Sequence, residues 1–267
     1  MKLSKYGSLI KGGIIEQLQF RTSAILVVVC NLLYLLLIYF LWKAIYASAG
    51  TDVVNGMTFS DTMIYLVFAS ALFNFMEMWI AWNMGSDIRD GRIIIDLLRP
   101  IPYPLYLFCA LSGNCIVKFV TTFMPTAVVV YFVVGGEIHL GWNILWFVLS
   151  ASISLVINYF INLFVGTICM YTESIWGINI MKEVVVGILS GATIPLVFFP
   201  DTIRTIVMYL PFQAIINSPL ELLLHTEYSL GQIGEIIGLQ VVWLIVIGLL
   251  CNAFFNLSVR RITVNGG

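Results

Sequence analysis

Charge is scarce in this chain. Asp, Glu, Lys and Arg make up 10% of its 267 residues, where a typical soluble domain carries about 25%. With 60% hydrophobic residues and a mean hydropathy of +1.00, that shortage excludes an ordinary soluble fold and indicates a membrane protein. The only two histidines, His139 and His225, lie in separate loops, and neither His-Glu-x-x-His nor Gly-x-Ser-x-Gly occurs. Metal-assisted and nucleophilic catalysis therefore have no assembled set of groups. No Gly-x-x-x-x-Gly-Lys-Ser/Thr is present either, so the chain has no P-loop for ATP. A net charge of −1 supplies no bulk attraction to nucleic acid. The five cysteines (Cys30, Cys109, Cys115, Cys169, Cys251) all fall in apolar stretches without zinc-site spacing, and read as small packing residues. The first 23 residues scatter Lys2, Lys5, Lys11 and Arg21. They lack the compact apolar core and small-residue cleavage site of a secretory signal, so the first span is expected to remain as an anchor.

What is present is long apolar sequence. A membrane helix needs about 20 mostly apolar residues, and six stretches qualify: roughly 24–47, 62–84, 104–134, 144–170, 180–199 and 232–257. The expected fold is an all-α polytopic membrane protein with six transmembrane helices, forming a single membrane domain over residues 1–267. The stretch 104–134 is too long for one straight span and contains Pro125, which predicts a kink or an end running past the bilayer.

Cations near span ends set orientation. Lys2, Lys5, Lys11, Arg21, Arg89, Arg92, Arg99, Lys182, Arg260 and Arg261 fall on one side, whereas the opposite loops carry Arg204 as their clear cation. Both termini are therefore expected in the cytoplasm. The segment 85–103 becomes a cytoplasmic loop and 200–231 an outer one.

That cytoplasmic loop gathers the charge the rest of the chain lacks. Asp87, Arg89, Asp90, Arg92, Asp96 and Arg99 lie within thirteen positions. Asp90-Gly91 reads as a turn. After it, Ile93, Ile94, Leu97 and Leu98 share one helical face, and Arg92, Asp96 and Arg99 share the other. Pro100 then stops the helix. The pattern predicts a helix of about two turns lying along the membrane, greasy side up. It is read either as a docking element for an aqueous partner or as a solvated positive-inside loop.

Three further regions stand out. In residues 1–23, Leu3, Tyr6, Ile10, Ile14 and Leu18 recur at helical spacing, predicting an amphipathic helix on the inner surface. Gly7, Gly12 and Gly13 leave an irregular polar leader as the alternative. Residues 191–231 stay apolar but are interrupted by Gly191, Pro195, Pro200, Pro211 and Pro219. Short helices dipping into the outer leaflet fit this pattern; a plain amphipathic surface loop is the alternative. Two ionisable residues lie well away from the span ends, Glu77 and Lys118, each costing about 2.5–3.5 kcal/mol at a helix centre. Straight helices would leave them offset by roughly 9 Å along the membrane normal, counting 1.5 Å per residue. A structural pair and a role lining a substrate path both remain open. Gly187-x-x-x-Gly191 and Gly234-x-x-x-Gly238 have helix-packing spacing.

The loop Gly91-Arg-Ile-Ile-Ile-Asp-Leu-Leu-Arg-Pro100 resembles that of the permease subunits of type-2 class ATP-binding-cassette exporters, in a six-span branch. Further likeness comes from Gly191-Ala-Thr-Ile-Pro195 through Pro200, Leu210-Pro211-Phe212 and Ser218-Pro219. The ending Arg260-Arg261-x-x-Val264-x-Gly266-Gly267 also looks similar. The resemblance implies that Asp87, Arg89, Asp90, Arg92, Asp96, Leu97, Leu98 and Arg99 belong to a coupling helix docking on a cytoplasmic ATPase. It implies an interfacial connecting helix in residues 1–23, and an outer gate carrying Pro195, Pro200, Pro211 and Phe212. Two permease copies, identical or related, would face each other among membrane lipids in a bacterial cytoplasmic membrane. No cofactor is expected in this chain, with ATP and Mg2+ on the partner ATPase. The competing reading is an ion-coupled secondary transporter or channel, in which Glu77 and Lys118 would carry the function. A membrane-embedded enzyme is disfavoured by the missing catalytic groups.

Overall fold

The computed structural model describes residues 2–19, 21–133, 142–172, 176–225 and 227–260. The loop carrying Glu137 and His139 and the basic, glycine-ended tail from Arg261 onward lie outside the described residues. The architecture is helical, with one two-stranded hairpin among the described residues. Helix α1 (Lys2–Gln19) is followed by α2 (Arg21–Ala49). Strands β1 (Val53–Val54) and β2 (Met57–Thr58) then reverse the chain. Asn55 and Gly56 both have positive φ (50° and 84°), which matches the twist of a tight hairpin. Thr58 next caps α3 (Phe59–Met76): its hydroxyl accepts from the Asp61 N–H while the Asp61 carboxylate accepts from the Thr58 N–H.

Among the described residues, five helical segments are long and apolar enough to cross a bilayer: Val29–Ala49, Phe59–Arg89, Tyr103–Phe132, Asn143–Ile168 and Leu230–Val259. Two of them are not regular. The second divides into α3 and α4 (Ile80–Arg89), with residues 77–79 outside either helix. The third consists of α6 (Tyr103–Lys118), a π-helical turn at Phe119–Phe123 and α7 (Met124–Val133). Pro125 cannot donate to the turn before it, so the irregularity the sequence placed at the proline falls in the turn preceding it. Between these two spans lies the short α5 (Ile93–Leu97). The fourth and last spanning helices are α8 (Asn143–Ile168) and α12 (Leu230–Val259).

The apolar stretch at 180–199 is divided. Helix α9 (Trp176–Leu189) has 14 residues, about 21 Å at 1.5 Å per residue, and ends at Gly191, whose φ of +84° admits glycine far more readily than other residues. A single 3-10 turn (Leu196–Phe198), α10 (Asp201–Tyr209) and α11 (Asn217–Leu224) follow. Gly191 thus serves as a helix stop, and a Cβ there would sit 2.5 Å from the Tyr65 hydroxyl. A Cβ on Gly234 or Gly238 would meet nothing within 4 Å.

The core forms where α8 packs against α12, α11 and α4. Gln240 of α12 is fully buried there. Its Oε1 accepts from Ser150 Oγ at 2.9 Å, and its Nε2 donates to Ser154 Oγ at 3.0 Å and to the Ala214 carbonyl at 2.9 Å. Helix α1 lies along α6, and Gly13, one of the three glycines that weakened its prediction, lies at the crossing point. A Cβ on Gly113 would sit 2.3 Å from the Ile10 carbonyl oxygen, and one on Gly13 would sit 2.3 Å from that of Ala110.

Two outcomes are expected. Gly113→Leu should force α1 away from α6, costing about 1–3 kcal/mol; thermal unfolding in detergent and protease access to α1 would measure it. Gln240→Leu should lower stability by about 1–3 kcal/mol by leaving the buried Ser150 hydroxyl without its acceptor and removing a donor to Ser154 Oγ and the Ala214 carbonyl, which keep their bond to each other, whereas Gln240→Glu at low pH should lose less.

Candidate functional site

The charged loop and the helix break are joined by α4. At its C-terminal end, Gly91 takes φ +70° and its N–H donates to the Ile88 carbonyl at 3.2 Å, forming the Asp90-Gly91 turn. Arg92 then ties the start of α5 to the end of α4. Its Nε lies 3.2 Å from Asp87 Oδ1 and its Nη2 2.8 Å from Asp90 Oδ2, with a further bond to Ser86 Oγ. On the other side, Arg99 Nε donates to Asp96 Oδ1 at 2.8 Å, and its guanidinium lies 4.4 Å from the centroid of the Tyr106 ring on α6. Exposed ion pairs contribute about 0–1 kcal/mol each. These clamps therefore set the orientation of α5 more than they stabilise it. Arg89 is exposed beside them.

The apolar residues divide differently from the sequence grouping. Ile93 is buried, Ile94 and Leu97 are half-buried, and Leu98 is 80% exposed together with Ile95 at 65%. At about 100° per residue, Leu98 lies roughly 140° around the helix from Ile93, so both cannot face the core of so short a helix. The tip thus presents an apolar pair, Ile95 and Leu98, flanked by clamped charges.

At the other end of α4 the chain leaves helical geometry. Glu77 adopts an extended conformation (φ −65°, ψ 117°), and the break frees carbonyls that a continuous helix would have used. The Met76 carbonyl accepts from Asn158 Nδ2 at 2.8 Å. That of Glu77 accepts from Lys118 Nζ at 3.1 Å, and the same ammonium reaches Glu77 Oε2 at 3.3 Å. Glu77 and Lys118 are therefore paired. The offset expected for straight helices is removed by the break at 77–79, and Lys118 serves both as counter-ion and as cap.

A polar cluster that sequence reasoning left unconnected continues from there. Asn162 Nδ2 donates to Asn158 Oδ1, and Asn162 Oδ1 accepts from Lys182 Nζ at 2.9 Å. Lys182 lies 3.8 Å from Glu183, which accepts from Asn179 at 2.7 Å. These groups border a cavity of ≈ 60 Å³, room for about four waters. Lys182, assigned by sequence to the cytoplasmic rim, is largely buried in this cluster. The sequence signal was available: Asn158 and Asn162 are four residues apart in a mostly apolar helix.

A larger cleft of ≈ 530 Å³ lies between α2, α3 and the end of α9, sharing Phe73, Glu77 and Trp79 with the small cavity. The four residues of the expected outer gate are spread over one segment. Pro195 precedes the 3-10 turn and Pro200 precedes α10. Pro211 and Phe212 instead border a third cavity, ≈ 310 Å³, with Lys182 of α9 and Cys251 of α12. The turn after α10 therefore reaches the interior, where Ala214, Ile215 and Ile216 are fully buried.

Apolar helices broken around a charged interior, with a clamped helical turn between two of them, define a multi-pass α-helical membrane protein. Residues 32–266 match the family described as ABC-2 family transporter protein, and the chain belongs to that family. It is thus an ABC transporter permease, and membership implies association with ABC ATPase partners. No curated protein matches it in sequence.

Because Lys118 satisfies both a carboxylate and a carbonyl, Lys118→Met should lower stability by about 1–3 kcal/mol, less than for a fully buried pair. The double variant Glu77→Gln/Lys118→Met should recover part of that loss in thermal unfolding.

Proposed function

We propose that this chain is the membrane-spanning subunit of an exporter of hydrophobic or amphipathic substrates, driven by ATP hydrolysis on a separate ATPase that binds ATP and Mg2+. The chain itself is then no enzyme. Both termini lie in the cytoplasm, and α9 with the following 3-10 turn completes a sixth crossing. Helix α1 lies at the inner boundary against α6, and residues 200–231 close the outer end. Two copies, or one copy and a paralogue, form the path in a bacterial cytoplasmic membrane.

The observation that carries this reading is the tip at Arg92–Arg99. An apolar pair, Ile95 and Leu98, stands exposed on a helix held by Arg92 to α4 and by Arg99 to α6. Such a tip suits a groove on a partner, because a small apolar anchor within a polar rim supplies most of the binding energy of an interface. The clamps favour transmission of a push into α4 rather than deformation of the loop. The missing P-loop identifies what the partner contributes.

The paired charges at Glu77 and Lys118 favour a second reading, an ion-coupled transporter or channel. Co-purification separates the two. Leu98→Glu, and Arg92→Glu with its repulsion of Asp87 and Asp90, should each weaken ATPase association at least tenfold (about 1.4 kcal/mol) and abolish ATP-dependent transport. Intact association and transport in both variants would sink the coupling role of the tip. Gradient-driven transport by the chain without any ATPase would establish the second reading instead.

A further inference from the structure

We propose that the cleft between α2, α3 and the end of α9 binds hydrophobic organic cations, amines and quaternary ammonium ions, with Glu77 as the counter-charge and Tyr34, Phe73 and Trp79 as aromatic walls. This deepens the transporter reading above and rests on it. At ≈ 530 Å³, the cleft falls within the range of about 300–1,000 Å³ occupied by small-molecule sites.

Its lining decides the charge of the occupant. Among the described residues that border it, Glu77 is the one bearing a formal charge. Lys118 and Lys182 do not border it, so the cleft meets the carboxylate side of the ion pair and not the ammonium side. The exposures agree, with the Glu77 side chain 36% exposed against 17% for Lys118. Lys118 divides its contacts between Glu77 Oε2 and the Glu77 carbonyl, so its charge is partly engaged with the backbone. Three aromatic rings beside a carboxylate are the surroundings in which a poorly hydrated cation gains most, from the ring faces and the counter-charge together. Trp79 is 51% exposed at the helix break and needs no folding role to explain its position. An anion of the same size would meet Glu77 without compensation, and a neutral molecule would gain at most a hydrogen bond from it. In the topology proposed above, Glu77 lies in the cytoplasmic half of the membrane. That half is the one whose anionic lipids concentrate hydrophobic cations.

The test uses the full chain in neutral phosphatidylcholine nanodiscs without ATPase, with ethidium as the cationic probe and anilinonaphthalene sulfonate as the anionic one. Empty nanodiscs are subtracted. Ethidium should bind saturably and the sulfonate should not. Glu77→Gln should weaken ethidium binding about tenfold or more, as expected for loss of a charged partner. Trp79→Ala should weaken it about threefold to tenfold, while Trp79→Phe retains most of it. Lys118→Gln keeps a donor for the Glu77 carbonyl but releases the carboxylate from its competing cation, so ethidium should bind several-fold tighter. The opposite signs at Glu77 and Lys118 distinguish a charge-matched site from general loosening, which would weaken both. Absence of saturable ethidium binding, equal binding of the sulfonate, an unchanged Glu77→Gln variant, or weakening by Lys118→Gln would each overturn the site. The transporter reading fails separately. A chain that recruits its ATPase but binds no ethidium loses only the site, and one that binds ethidium through Glu77 but recruits no ATPase loses only the coupling.

Discussion

Inside hydrocarbon a peptide group has no water to bond, and this constraint organises the protein around one ridge of α8. Ser150, Ser154, Asn158 and Asn162 follow one another at four-residue intervals, and all four are buried. Residues at that spacing form a continuous row along a helix. The N-terminal part of the row, Ser150 and Ser154, meets Gln240 and the Ala214 carbonyl of the turn after α10. The C-terminal part, Asn158 and Asn162, meets the Met76 carbonyl at the break in the second span and the ammonium of Lys182. Gly166, one step further, lets α4 approach, with a Cβ there only 3.0 Å from Met84 Sδ. Two departures from helical geometry within the membrane are thus tolerated because one neighbouring helix supplies their missing partners.

The break at 77–79 has a mechanical consequence because α4 connects it to the charged tip at Arg92–Arg99. At one end α4 is fastened to α5 by Arg92 through Asp87 and Asp90. At the other it begins just beyond Glu77 and Trp79, which border both the small polar cavity and the larger cleft. Non-helical residues are where a chain absorbs changes in φ and ψ most readily. In the proposed transporter, a displacement of the tip arrives at the residues that line the cleft, and the Lys118 cap and the Asn158 bond hold the resting geometry.

Much of this was legible in the residues. Hydropathy located the spanning helices, Asp90-Gly91 announced the turn before α5, and Pro195 and Pro200 announced the starts of the short elements between α9 and α11. The apolar run at 180–199 was less legible. Hydropathy extends across Gly191 unchanged, whereas the helix ends there because the backbone adopts a positive φ. The glycines of α1 misled for the opposite reason. They lower helix propensity locally, yet Gly13 is what allows close contact with Gly113, a partner one hundred residues away.

The sequence by itself determined the membrane class, the concentration of charge between the second and third spans and the lack of a P-loop motif. These follow from composition and from patterns only a few residues long. Only the tertiary structure decided that Glu77 and Lys118 meet, that Asn158 caps a broken helix, that Lys182 is drawn into the interior and that Leu98 faces outward with Ile95. Each of those depends on which helices are neighbours and where one of them is interrupted. In a chain this apolar, many helix faces are chemically alike, so the few polar groups acquire their roles only from the partners that packing places beside them.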